Sequence, residues 1–166
     1  MTHHTATAPE VARRPGLHTA LQLVALVIGL GYLALGIGGF LVPGNADAAA
    51  GEGFGAPSPQ STLLIFTVGP VLNVLHTLGG LVGLAAARSV SGAALYGLAG
   101  SVGFAGLSAF SFLAVTVDID DRPPFGWADV VLYVITTGVL VALAVLAFRA
   151  VRLASNPPAE ESTSKL

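Results

Sequence analysis

The sequence contains no cysteine and few charged residues. Without cysteine the chain can form no disulfide, no thiolate metal site and no cysteine nucleophile. Charged residues make up 10% of the chain, against roughly 25% in ordinary soluble domains, which favours lipid as the surrounding solvent. The basic residues form no dense cluster and the net charge is only −2. Nothing therefore indicates a nucleic-acid partner.

Catalytic and nucleotide-binding motifs are also missing. No G-x-S-x-G, Walker or dinucleotide pattern occurs in a usable context, and no nucleophile and base pair can be named. The acidic group Asp118, Asp120 and Asp121, followed by Arg122, lacks the further ligands of a calcium loop. We therefore expect a protein that is not an enzyme, and the sequence implies no particular cofactor.

The sequence does contain long apolar segments. Four apolar segments each have about the 20 residues that a helix needs to cross a bilayer core about 30 Å thick. They predict an all-α four-transmembrane-helix bundle over residues 17–152, with spans at about 17–42, 61–87, 90–117 and 128–149. The first apolar run is longer than the roughly 7–15 residues of a signal-peptide core, so we expect it to be a span. The polar ends, residues 1–16 and 153–166, are expected to be disordered tails, and residues 43–60 an exposed loop.

The basic residues predict how the spans are oriented. If both tails and the turn at Arg88 lie on one side, every basic residue except Arg122 collects there. Basic residues concentrate on the cytoplasmic side of membrane proteins, so both termini are expected in the cytoplasm. The richness in Ala, Gly and Val fits a bacterium with a G+C-rich genome. We expect a multi-pass protein of the bacterial cytoplasmic membrane.

Small residues inside the spans predict close contact between helices, because burial from water does not drive association within lipid. Several of them recur in the second span at alternating spacings of four and three, which places them on one helical face. Pro70 lies inside that span and is expected to kink it. The predicted packing glycines are Gly69, Gly79, Gly80 and Gly83 in the second span, with Gly103 and Gly106 in the third.

His76 is the only ionisable residue within the second span. Counted from Ser61 it lies 15 residues into the helix, about 22 Å along the axis and near the middle of the bilayer. An ionisable group at that depth indicates a proton relay or a haem or metal ligand, but a neutral imidazole could equally join helices through hydrogen bonds. Both interpretations stay open. No second histidine can reach it easily, so a zinc or di-histidine haem site is not expected.

Four short motifs together resemble a known bacterial membrane family. They are the Gly-rich first span, Asn73-x-x-His76-x-x-x-Gly80, the Ala87-Arg88 turn and Ala128-Asp129-x-x-Leu132. The chain resembles, from about Leu17 to Arg149, the uncharacterised family catalogued as domain of unknown function 4383. That resemblance implies four spans and singles out Asn73, His76 and Asp129, but the family has no established activity.

The fourth-helix motif of that family usually runs Asp-x-x-Leu-His, whereas this chain has Tyr133 at the last position, which weakens any two-histidine site. The candidate intramembrane polar site is therefore Asn73, His76, Tyr133 and Asp129. From its helix start, Asp129 is expected about 15 Å above His76, too far for a direct hydrogen bond. It is better explained as a carboxylate in a first helical turn, favoured by the helix dipole.

Two functional hypotheses follow. The first is a non-enzymatic accessory or envelope-associated subunit that acts through helix contacts, with the lipid bilayer and either a second copy or another membrane protein as partners. The second is an intramembrane ligand-binding or transport protein centred on His76 and Asn73, whose ligand would be a lipid, a quinone, a haem or a proton.

Overall fold

A computed structural model describes residues 15–45, 61–117 and 125–155. Four helices occupy most of these residues: α1 (Pro15–Phe40), α2 (Pro70–Ala86), α3 (Val90–Thr116) and α4 (Trp127–Ser155). A short hairpin of two strands, β1 (Ser61–Leu63) and β2 (Phe66–Val68), precedes α2. By length and composition α1, α3 and α4 are able to cross a membrane, whereas α2 is a shorter apolar helix of 17 residues.

The second helix is where the structure departs from the sequence prediction. A continuous helix over residues 61–87 is wrong, because the first eight of these residues form an antiparallel hairpin that pairs Ser61 with Val68 and Leu63 with Phe66. An uncharged apolar run does not by itself distinguish a helix from strands, and Ser-Thr-Leu-Leu-Ile-Phe-Thr-Val is rich in strand-forming residues. The hairpin therefore replaces the first turns of the predicted span.

Pro70 consequently has a different role from the predicted kink. It is the first residue of α2 and follows Gly69, whose backbone is extended. In the first helical turn a backbone N–H has no intrahelical partner, so a proline there breaks no hydrogen bond. Gly69 acts at this boundary, where its carbonyl accepts the first helical hydrogen bond from Asn73 N at 2.8 Å. Pro70 starts the helix instead of bending it.

The other helix limits lie closer to the predicted spans. α3 begins at Val90 after Ser89, whose side chain accepts a hydrogen bond from Gly92 N at 3.0 Å. α4 continues to Ser155, so residues 153–155, predicted as tail, are helical. Four stretches lie outside the described residues: 1–14, 46–60, 118–124 and 156–166. They include the outer parts of both predicted tails, most of the predicted exposed loop and the acidic group before Arg122.

α1 and α2 pack backbone against backbone in antiparallel directions. A Cβ added to Gly29 would lie 2.8 Å from Leu84 N, and one added to Gly80 would lie 2.5 Å from Leu33 N. Nearer the hairpin, Gly36 lies against Thr77. Any larger residue at these positions would push the helices apart, which is why glycine occurs there.

α3 and α4 form the second closely packed pair. Gly97 lies against α4, where a Cβ would approach Ala144 N to 2.6 Å. Elsewhere in this pair Gly100 lies against the Leu140 side chain, and Leu140, Leu143 and Ala147 of α4 are buried in the hydrophobic core. The two pairs meet in one hydrophobic core, to which all four helices contribute.

The predicted packing glycines fall into two groups. Gly80 and Gly83 lie at the contact between α1 and α2, as the spacing predicted. A Cβ added to Gly79, Gly103 or Gly106 would meet no atom within 4 Å among the described residues. These three glycines therefore do not pack the described helices together, because they lie on faces turned away from the core.

Candidate functional site

Four aromatic rings of the core, one from each helix, contact one another. Tyr32 of α1 contacts His76 of α2 and Phe104 of α3, with ring centroids 5.2 and 4.5 Å apart. Tyr133 of α4 contacts the same two rings at 5.9 and 6.1 Å. All four side chains are buried. We call these residues the aromatic quartet, and their tilted contacts form a closed cycle around the bundle axis.

Two hydrogen bonds cross the bundle at the aromatic quartet. The His76 Nε2 and Tyr133 hydroxyl atoms are 3.2 Å apart, and the histidine tautomer decides which of them donates. The Tyr32 hydroxyl lies 2.7 Å from Thr136 Oγ1. Each bond joins a helix of the α1–α2 pair to α4. The quartet therefore connects the two helix pairs through polar contacts as well as ring packing.

The sequence prediction of this site was partly complete. It grouped His76 with Tyr133, and these two side chains meet directly. It missed Tyr32, Phe104 and Thr136, which come from helices whose rotation about their own axes the sequence does not specify. Each apolar run contains aromatic or hydroxyl side chains, but the sequence does not say which of them touch.

The position predicted for His76 along its helix is wrong. Because α2 begins at Pro70 and not at Ser61, His76 lies only six residues after the helix start. That is about 9 Å along the axis instead of 22 Å. Tyr133 likewise lies six residues after the start of α4 at Trp127. His76 and Tyr133 therefore lie in the second turn of their helices, towards the hairpin end of the bundle, whereas Phe104 lies at the midpoint of α3.

Asp129 is almost fully buried in the first turn of α4 and accepts two backbone hydrogen bonds. Its Oδ2 accepts from Gly126 N at 2.9 Å, and its Oδ1 accepts from Thr67 N at 3.0 Å. The first bond satisfies an N–H at the helix start, as the acidic residue of a capping box does. The second fastens β2 to α4. Asp129 is thus a helix-start carboxylate, as the sequence predicted, and it also holds the hairpin against the bundle.

Asn73 is completely buried on the face of α2 that packs on α1. Its side-chain amide lies directly over Gly39, where even a methyl group would collide with it. Within the described part of the chain, neither polar atom of this amide has a hydrogen-bond partner, and neither does His76 Nδ1. A buried polar atom without a partner costs about 1–3 kcal/mol, so these atoms require an explanation.

The described residues provide little for a metal ion. No group of three or more His, Cys, Asp or Glu side chains comes together among residues 15–45, 61–117 and 125–155. The polar groups that hydrogen bonds bring together at the aromatic quartet are instead two tyrosine hydroxyls, one threonine hydroxyl and the His76 imidazole. Such groups exchange hydrogen bonds and hold neutral polar molecules.

The fold defines a helical protein with three apolar helices of membrane-spanning length and a polar centre built from aromatic and amide side chains. Residues 22–146 match the family described as domain of unknown function (DUF4383), and the chain belongs to that family. The resemblance seen in the short motifs is thereby confirmed. No curated protein and no solved structure matches the chain.

Proposed function

We propose that this chain is a non-enzymatic accessory subunit of the bacterial cytoplasmic membrane, which crosses the bilayer four times and binds its partner through helix contacts. The observation that carries the proposal is the set of glycines on α3 that face away from the core. They are positions where another helix can approach closely.

The glycine face of α3 consists of Ala99, Gly103 and Gly106. All three are exposed, and their spacing of four and three places them on one side of the helix. Phe104 and Ser111 of the same helix are buried on the opposite side. Glycine lowers helix stability by about 1 kcal/mol relative to alanine. In lipid, small residues on an outer face promote helix association because backbones can come close there.

The fourth crossing is the short helix α2. Its 17 residues extend about 25 Å, slightly less than a bilayer core of about 30 Å, a mismatch that local thinning of the bilayer accommodates. Arg88 follows directly on the side where the basic tails are expected. The excess of basic residues on that side supports cytoplasmic termini.

Disulfide crosslinking in native membranes tests the partner contact. Because the chain has no cysteine, Gly103→Cys introduces a single thiol on the glycine face. We expect oxidation to give a crosslinked dimer if the partner is a second copy. Blue native electrophoresis should show a larger complex whether the partner is a second copy or another membrane protein. Gly103→Leu and Gly106→Leu should each dissociate that complex, because a leucine side chain prevents close backbone approach.

The matched control is Ala105→Leu, which adds the same bulk at an exposed position of the same helix but outside the glycine face. It should leave the complex intact. A wild-type protein that migrates as a monomer in native membranes and in mild detergent, with no co-purifying protein, would contradict the proposal.

A second candidate is ligand binding or transport at His76, which the unpaired polar atoms of Asn73 and His76 support. It predicts that native mass spectrometry of protein in mild detergent detects a lipid, a quinone or a haem that is lost in His76→Ala. Detection of protein mass alone, with an unaltered absorption spectrum, would count against this candidate.

A further inference from the structure

Four unpaired polar atoms lie close to the hairpin end of the bundle. They are Asn45 Oδ1, Asn73 Oδ1, Asn73 Nδ2 and His76 Nδ1, and each of these atoms is buried without a hydrogen-bond partner among the described residues. Asn45 and Asn73 are both 0% exposed and His76 is 3% exposed, so water at the surface does not reach these atoms. A protein interior rarely leaves so many polar atoms unpaired.

These atoms form a continuous polar track. Asn45 Nδ2 donates a hydrogen bond to Gly39 O at 3.0 Å, and the amide of Asn73 lies over the same Gly39. His76 is three residues after Asn73 on the same face of α2. From His76 the track continues through Nε2 to the Tyr133 hydroxyl. The track therefore runs from the end of α1 to the aromatic quartet.

The chemistry of the unpaired atoms selects their ligand. Asn73 Nδ2 can only donate a hydrogen bond, whereas Asn45 Oδ1 and Asn73 Oδ1 can only accept one. An anion would satisfy only the donor, and a cation would satisfy only the two acceptors. Water both donates and accepts, and buried waters typically make about three hydrogen bonds to such groups.

We propose that Asn45, Asn73 and His76 line an internal water-binding site that connects His76 to the hairpin end of the bundle. Waters bound there accept from Asn73 Nδ2 and donate to the amide oxygens, and one of them pairs with His76 Nδ1. Gly39 makes room for the Asn73 amide, since a side chain there would occupy the same space. This inference is independent of the helix-contact function, because none of these residues lies on the glycine face.

Nuclear magnetic resonance of the full chain in lipid nanodiscs, with ¹⁵N-labelled histidine, tests the site. The chain has four histidines, so the His76 ring signals can be assigned from the spectrum of His76→Gln. We expect magnetisation transfer from water to the His76 ring in the wild type. Asn73→Leu, which replaces the amide by an apolar group of similar size, should abolish the transfer and lower the melting temperature.

Two further variants keep the test decisive. Asn73→Ser retains a hydroxyl and leaves more room, so it should preserve the transfer, and the lipid-facing Leu75→Val should behave like the wild type. Folded wild-type protein without transfer from water to His76 would overturn the proposal, whether or not Asn73→Leu folds. A higher melting temperature of Asn73→Leu than of the wild type would also overturn it, because an apolar residue stabilises the protein when it replaces a buried amide that binds no water. So would a co-purified organic molecule in contact with His76.

Discussion

The two helices of the α1–α2 pair pack together in a different way from those of the α3–α4 pair. In the first pair glycines bring the two backbones into contact at several levels, and α2 is short and preceded by a hairpin. In the second pair the helices have 27 and 29 residues, and Gly97 brings the two backbones into contact at one level. The unpaired polar atoms of Asn73 and His76 belong to α2 of the first pair. Backbone contact at several levels thus accompanies the polar track, whereas the pair of uninterrupted helices has it at one level.

The difference between the two pairs is tested most strongly by adding a methyl group between the backbones of α1 and α2. In Gly80→Ala the added Cβ would lie 2.5 Å from Leu33 N and 2.7 Å from Gly29 O, and backbone atoms cannot shift without separating the helices. We expect a loss of about 3 kcal/mol or more, at the upper end of overpacking effects. Thermal unfolding in detergent, followed by circular dichroism, measures the change.

The matched control is Gly100→Ala on α3, where the added Cβ would meet side-chain atoms of Leu140, the nearest at 3.0 Å, and no backbone atom. That side chain can rotate, so stability should change by less than about 1 kcal/mol. Equal losses in the two variants would show that the pairs do not differ in the way the glycine contacts indicate.

The hydrogen bonds that Asp129 accepts are expected to hold the hairpin against α4. Asp129→Ala removes the acceptor for both Gly126 N and Thr67 N, and we expect a loss of about 2–4 kcal/mol. Amide hydrogen exchange at Thr67 should accelerate because the hairpin detaches from α4. Asp129→Asn keeps one acceptor oxygen and should have an intermediate effect. Unchanged exchange at Thr67 in Asp129→Ala would contradict this role.

The hydrogen bond between His76 and Tyr133 is expected to stabilise the contact between the two helix pairs. Tyr133→Phe preserves the ring contacts of the aromatic quartet but removes the hydroxyl that pairs with His76 Nε2. The buried imidazole nitrogen loses its partner, so we expect a loss of about 1–2 kcal/mol. A double-mutant cycle with His76→Leu measures the coupling, and a coupling energy of zero would show that the two side chains do not stabilise each other.

The smallest expected effect within the chain is at the glycine face. In Gly103→Ala the added methyl group meets nothing within 4 Å, and alanine favours the helix by about 1 kcal/mol or less. The monomer should therefore unfold at the same or a slightly higher temperature. A clear loss of monomer stability would show that Gly103 packs against a part of the chain beyond the described residues.

Several features of the candidate site were predictable from the sequence. His76 was identified because it is the only ionisable residue of its apolar run, and Asn73 because it shares a helical face with it. Asp129 was correctly placed in a first helical turn. The contact between Asp129 and Thr67 was not predictable, because it depends on a hairpin that an uncharged run does not reveal.

The same limit applies to the glycines. The spacing of Gly80 and Gly83 predicted a contact face, and that face does pack on α1. The spacing of Gly103 and Gly106 is just as regular, yet those residues face away from the core. Periodicity shows which residues share a face, but it does not show which neighbour that face meets.

Hydrophobic length and scarcity of charge are sufficient to predict an apolar helical protein of membrane-compatible length. The family was also predictable, through motifs that need no tertiary contact. The tertiary structure was needed to show that α2 begins at Pro70, that one ring from each helix joins the aromatic quartet, and that the Asn73 amide lies over Gly39. Those facts depend on the relative height and rotation of the helices, which contacts between distant residues set and local sequence patterns do not contain.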